Sequence, residues 1–287
     1  MPRSVDRRFV LAALAAAAAT PTTILPAMAR SARLPDGEVV HLGRLRAWLT
    51  GPTTRYAHAV LGDNIEAEGF VVERSGDALA FRLGPDAVFE DRRVRLVDID
   101  GDGQPEALIV KAYLDRGAAL ALYRIGRNGI EPLAESAAIG QPNRWLNPVG
   151  VGDFIGNGTR TIAAVVTPHL LGSLRLYRLA GSKLDEVARI DGFTNHIIGR
   201  RDLDLGYAYC ATNERALRIA IPRFDRKSIA VISFADGVAR VVDEVLLPRR
   251  VVSLSPPGQV HTWLRLDDGS KTSVPITGAQ CTKGTWG

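Results

Sequence analysis

Beyond residue 30, apolar positions fall in short runs separated by Gly, Asp, Asn and Pro. Residues 107–113, 119–125, 161–166, 173–179, 217–221 and 229–234 are such runs, and each is predicted as a β-strand. No segment here sustains the 3.6-residue apolar period of an amphipathic helix, so the reading is all-β. One tripeptide recurs at the same relative place, Leu122-Tyr123-Arg124 and Leu176-Tyr177-Arg178.

The layout repeats about every fifty residues. Repeats open at Arg55-Tyr56-Ala57-His58, Arg92-Arg93, Arg144-Trp145 and Asn195-His196, followed by Asp63, Asp98, Asp153 and Asp202. A fifth opening, Arg249-Arg250, lacks the aspartate. Units of about four strands and fifty residues predict the blades of a β-propeller. Residues 30–287 suit a single domain of about five four-stranded blades, with a β-sandwich as the alternative. The candidate strand at 38–48 is expected to complete the last blade, 251–276, and close the ring.

The first 29 residues read differently. Arg3, Arg7 and Arg8 precede an alanine-rich apolar run, and Ala27-Met28-Ala29 is a small-x-small cleavage site. That order predicts a cleaved signal peptide, residues 1–29. The run is too short to span a bilayer, so no transmembrane segment is expected in the mature chain. Arg7-Arg8 ahead of Phe9-Val10-Leu11 resembles a twin-arginine signal, although Asp6 stands where Ser or Thr is usual. The expected location is periplasmic or secreted in a bacterium. There Cys210 and Cys281, the two cysteines, are expected to pair as a disulfide. The formal net charge of +5 is mild and unclustered, so nucleic acid is not an expected partner.

The sharpest motif is Asp98-Ile99-Asp100-Gly101-Asp102-Gly103-Gln104-Pro105-Glu106. Calcium takes six to eight oxygens from a flexible loop. Asp98, Asp100, Asp102 and Glu106 offer carboxylates, Gln104 its backbone carbonyl, and Gly101 and Gly103 the left-handed backbone such a loop needs. Position 12 is Ile109, so this is not an EF-hand. The motif resembles the FG-GAP/VCBS repeat of integrin-like β-propellers, and Val151-Gly152-Asp153-Phe154-Ile155-Gly156-Asn157-Gly158 resembles a second copy. The resemblance implies a propeller whose surface hairpins carry structural calcium. In the second copy Ile155 and Thr161 replace oxygen ligands, and neither that loop nor the one at Asp202 is assigned a metal.

The repeat-opening loops carry Tyr56, His58, Arg144, Trp145, Asn195, His196 and Arg200. If the repeats are blades, these residues share one face and suit an anionic or saccharide ligand or a partner protein. The competing reading is that they pack and pair locally. No nucleophile elbow, zinc-protease, Cys-x-x-Cys or P-loop motif occurs, so no catalytic residue is assigned. The expectation is therefore a calcium-binding scaffold or binding module. The alternative is a polysaccharide hydrolase or lyase with its site at the channel mouth, and what separates them is whether these side chains converge in a pocket with perturbed titration.

Overall fold

A computed structural model of the chain describes residues 32–279. Those residues form twenty β-strands and a single 3₁₀ turn, so the chain is all-β. The predicted leader, 1–29, lies outside the described residues. No helix among the described residues is long and apolar enough to cross a membrane.

The strands fold in chain order into five antiparallel units. The first holds β1 (Val40–Leu42), β2 (Leu45–Thr53), β3 (Glu66–Arg74) and β4 (Asp77–Arg82). After the short β5 (Ala87–Phe89), the second holds β6 (Arg95–Val97), β7 (Glu106–Tyr113), β8 (Gly117–Ile125) and β9 (Ile130–Ser136). The third holds β10 (Leu146–Gly152), β11 (Thr161–Val166), β12 (Ser173–Ala180) and β13 (Lys183–Asp191). The fourth holds β14 (Tyr207–Cys210), β15 (Leu217–Pro222), β16 (Ser228–Ser233) and β17 (Arg240–Leu246), with β17 on its outer edge. The fifth holds β18 (Val251–Leu254), β19 (Thr262–Leu266) and β20 (Lys271–Val274). Links through β5 and a two-residue parallel pairing of β9 with β13 join the first three units into one 13-stranded ladder.

Continuous apolar runs, rather than alternating ones, follow from burial on both faces. Along β7, Leu108 and Val110 enter one core while Ala107 and Ile109 enter another. On β11, Ile162 and Ala164 face the second unit and Ala163 and Val165 face the fourth. On β16, Ala230 and Ile232 point toward the third unit and Ile229 and Val231 toward the fifth. Each middle sheet thus lies between two hydrophobic cores, and the units stack face to face in chain order. The recurring Leu-Tyr-Arg marks a structural repeat, because β8 and β12 both shift register between its Leu and its Tyr. β16 carries the same bulge between Val231 and Ile232. A bulge bends a strand and increases its twist.

Ion pairs tie together loops of non-adjacent units. Arg93, ahead of β6, donates to Asp204, ahead of β14, at 3.0 Å. Arg201 reaches Asp63 in the first unit at 3.1 Å.

Two expectations change. The predicted strand at 38–48 is a hairpin of β1 and β2 turning at Gly43, whose φ of +57° suits glycine. Among the described residues these strands pair with each other and with β3, and no ladder joins them to β18–β20. Asp202 is not the counterpart of Asp98 and Asp153. Those follow the first strand of their units, whereas Asp202 precedes β14. The equivalent loop of the fourth unit is 211–216, which holds no aspartate. Cys281 lies outside the described residues. Cys210 exchanges two backbone hydrogen bonds with Ala279, 3.0 and 3.1 Å, which bring the C-terminal chain back to β14.

Candidate functional site

The acidic loop joins β6 to β7. Gly101 and Gly103 hold φ near +83° and +82°. Asp98 accepts the Gly101 N–H at 2.8 Å, Asp100 that of Asp102 at 3.1 Å, and Asp102 that of Gln104 at 2.6 Å. Glu106 opens β7, is buried, and accepts the Ile99 N–H at 3.1 Å. Carboxylate oxygens of Asp98, Asp100 and Glu106 lie within 4.8 Å of one another. Two oxygens sharing a calcium ion at about 2.4 Å can stand no farther apart than about 4.8 Å, a condition these three groups meet. The Asp102 carboxylate is not in that group. Burial, then the three neighbouring aspartates, pushes the Glu106 carboxyl up to about 7. Arg160, from the equivalent loop of the third unit, pairs with Asp98 at 2.8 Å. In that loop Asp153 turns its oxygens onto the N–H groups of Gly156, Asn157 and Gly158, at 2.6, 3.2 and 2.7 Å.

A second cluster lies where the first three units meet the loop entering the fourth. His58 comes from the β2–β3 loop, Glu90 follows β5, Arg144 and Trp145 precede β10, and His169 sits in the β11–β12 turn. The β10–β11 register places that turn: Leu146 opposes Val166, and Thr167 N–H donates to the Trp145 carbonyl at 2.9 Å. The turn is tight. Thr167 adopts φ +49°, costly for a β-branched residue, and a Cβ on Gly172 would lie 1.7 Å from the Phe193 carbonyl. Ala59 and Asn143, beside His58 and Arg144, are also left-handed, at φ +55° and +54°. Strained backbone of this kind concentrates at functional sites.

These loops enclose a cavity of about 160 Å³ lined by His58, Asn143, Arg144, Trp145, His169 and Ile198, among others. A larger cavity of about 530 Å³, between β9 and β12–β13, is lined in part by Glu135, Arg175, Tyr177, Lys183 and Glu186. Its lining has no histidine, whereas the smaller cavity is lined by His58 and His169, so chemistry favours the smaller one.

Trp145 organises the pocket. It is buried and donates its indole N–H to the Glu90 carbonyl at 2.9 Å. Its ring stacks parallel on His169 with centroids 5.8 Å apart, and meets His196 edge-on at 4.8 Å. The Glu90 carboxyl is fully buried and stands 2.6 Å from His58 Nδ1, while its other oxygen, Oε2, has no hydrogen-bond partner among the described residues. Burial, reinforced by Asp91, pushes Glu90 well above the usual carboxylate range. Burial, then Arg144, pushes His58 down. Both shifts favour the neutral pair, in which Glu90 donates its proton to Nδ1 and His58 carries its own N–H at Nε2.

His196 Nε2 lies 2.7 Å from the Arg200 carbonyl. A carbonyl only accepts, so Nε2 carries the proton and Nδ1 presents a lone pair to His169 Nε2, 2.8 Å away. Burial holds His169 down at about 3 and His196 at about 4.

Of the sequence candidates, His58, Arg144, Trp145 and His196 converge here. Tyr56 is buried beside His58 and accepts the Asn143 N–H at 2.9 Å, fixing the loop that carries Arg144. Burial, then Glu90, pushes its hydroxyl up to about 12. Asn195 is buried behind the site and donates to the Asn147 carbonyl at 3.0 Å, while Asn147 donates to Leu203 at 2.8 Å. Arg200 contributes its carbonyl, and the residue is exposed. Sequence reasoning missed Glu90 and His169, which lie outside the repeat openings.

Glu66 is also buried, and burial followed by Glu90 pushes its carboxyl up to about 9. The unfolded chain releases this proton near 4.5 and the native state near 9. Between those values the native state binds more protons, so stability falls as pH rises. Glu66→Gln mimics the protonated acid. Its stability advantage in urea unfolding is expected to grow from pH 5 to pH 9, and parallel curves for variant and wild type would remove Glu66 as the cause.

No family model matches the chain, and no curated protein matches it. Among solved structures it is similar to a candidate 6-phosphogluconolactonase from Bacteroides fragilis, with 12% identity and a TM-score of 0.39 over 86% of this chain and 70% of that one. It is also similar to the exotype rhamnogalacturonan lyase YesX, with 12% identity and a TM-score of 0.42 over 91% of this chain. The match spans 60% of the lyase's length.

Proposed function

We propose that the chain is an exported, calcium-stabilised β-propeller of about five blades that performs acid–base chemistry on the anionic end group of a saccharide. One observation carries the catalytic part: the buried Glu90 carboxyl stands 2.6 Å from Nδ1 of His58, a residue lining the cavity. A proton leaving His58 at Nε2 is replaced at Nδ1 from Glu90, so the pair acts as a general acid and, in reverse, as a general base. Arg144 lines the same cavity and supplies positive charge for a carboxylate or phosphate. The cavity is smaller than the roughly 300–1,000 Å³ usual for whole ligands, which suits the terminal residue of a longer molecule. The radial arrangement is supported by the middle sheets, each packed between two cores, and by Arg93 meeting Asp204 from a non-adjacent unit. Export rests on the leader pattern alone.

The test is turnover of uronate-bearing and phosphorylated oligosaccharides by wild type, His58→Ala and Glu90→Gln. Glu90→Gln keeps a hydrogen bond to Nδ1 but removes the transferable proton, so a loss of roughly 10²- to 10⁴-fold is expected. The modest cavity favours a second reading, a binding module that captures an end group without altering it. Calorimetric binding by the wild type with no product formed would select that reading over catalysis.

A further inference from the structure

The His169–His196 pair has a geometry that the His58–Glu90 chemistry does not use. We infer that it is the cis-coordinating half of a first-row transition-metal site, of the kind copper(II) or nickel(II) occupies, opening on the same cavity. Three independent features of the fold meet there.

The first is orientation. His196 Nε2 donates to the Arg200 carbonyl at 2.7 Å, which leaves Nδ1, the nitrogen beside His169, unprotonated. Metal-bound histidines are held this way, by a carbonyl or carboxylate on the far nitrogen. The second is spacing. The facing nitrogens are 2.8 Å apart. At metal–nitrogen distances of about 2.0–2.1 Å this separation subtends about 84–89° at a shared ion. A tetrahedral pair would stand about 3.3 Å apart, so the angle matches tetragonal or octahedral coordination and disfavours zinc. The third is rigidity with access. Trp145 fixes both rings by stacking and edge contact, and the strained Thr167 turn fixes the His169 backbone. His169 also lines the cavity, so water or a ligand can complete the shell.

The same 2.8 Å would serve a plain N–H···N hydrogen bond between two neutral imidazoles, and the experiment separates the two. The full, tag-free protein is saturated with calcium to fill the acidic loop. It is then titrated with copper(II), nickel(II) and zinc(II), and the copper form is examined by electron paramagnetic resonance. One equivalent of copper is expected to bind, tighter than nickel or zinc, with a tetragonal spectrum showing coupling to two imidazole nitrogens. His169→Gln and His196→Gln should each weaken copper binding at least ~10-fold and remove one nitrogen coupling. Near-UV circular dichroism checks that each variant is folded. Should His196→Gln not fold, the partly exposed His169 still tests the site. Unchanged affinity in folded His169→Gln, or a spectrum without imidazole coupling, would overturn the inference. His58→Ala is expected to abolish turnover yet keep the two-nitrogen spectrum. Loss of that spectrum in His58→Ala would overturn the two-histidine assignment, whatever becomes of the catalytic reading.

Discussion

Calcium is expected to raise the thermal unfolding midpoint of the purified protein, and EDTA to reverse the rise. Three carboxylates converge within 4.8 Å on the β6–β7 loop, and one of them, Glu106, is buried at the start of a core strand. Without a cation this arrangement stores repulsion, which Arg160 relieves in part through its pairing with Asp98. An ion that binds the folded loop and not the unfolded chain stabilises by mass action, about 2.7 kcal/mol at a hundredfold excess over Kd. For a chain of this size that is a rise of roughly 5–11 °C. Asp100→Asn should abolish the shift, because Asp100 belongs to the converging set and has no arginine partner among the ion pairs at the loop. Asp153→Asn should leave the shift intact, because Asp153 spends its oxygens on its own loop. Equal melting curves with calcium and with EDTA would sink the metal assignment and leave the propeller reading on the sheet stack alone.

The second large effect is expected at Trp145. Truncation to alanine removes a buried indole that donates to Glu90 and backs two histidines. Deleting a buried aromatic of this size costs about 3–5 kcal/mol. Trp145→Phe keeps most of the packing and loses the N–H, leaving the Glu90 carbonyl without that donor. About 1–3 kcal/mol is expected for that loss. Urea unfolding read by far-UV circular dichroism measures both. A cost below about 1 kcal/mol for the alanine variant would mean that the surrounding loops collapse freely, and the rigidity invoked for the pocket would then be wrong.

The strands were legible because their sheets are buried on both faces. β11 coincides with the apolar run 161–166, and the repeated Leu-Tyr-Arg falls on a bulge in both units. The β1–β2 hairpin was hidden because Gly43 breaks an otherwise strand-like segment with a single turn. Asp202 misled because aspartates occur at both ends of a unit and spacing alone does not say which end is which. The pocket was half legible. His58, Arg144, Trp145 and His196 stand out as polar or aromatic residues at repeat openings. Glu90 and His169 come from other connections, and only the pairing of Leu146 with Val166 and the burial of Glu90 bring them in. Asn195 looked like a ligand residue for the reason that makes it structural: an amide satisfies backbone carbonyls wherever a loop crosses a sheet.

β17 has a consequence for how the protein behaves in concentrated solution. It ends the four-stranded sheet and exposes Val242 and Leu246 along an open backbone edge. Such an edge is a template for a strand of another copy, and natural proteins blunt it with charge. Arg240, Asp243 and Glu244 supply that charge on three of its seven positions. Acidification that neutralises the carboxylates, or salt that screens them, therefore removes a colloidal guard without touching the core. Self-association through this edge, between molecules that are still folded, is therefore expected to increase at low pH.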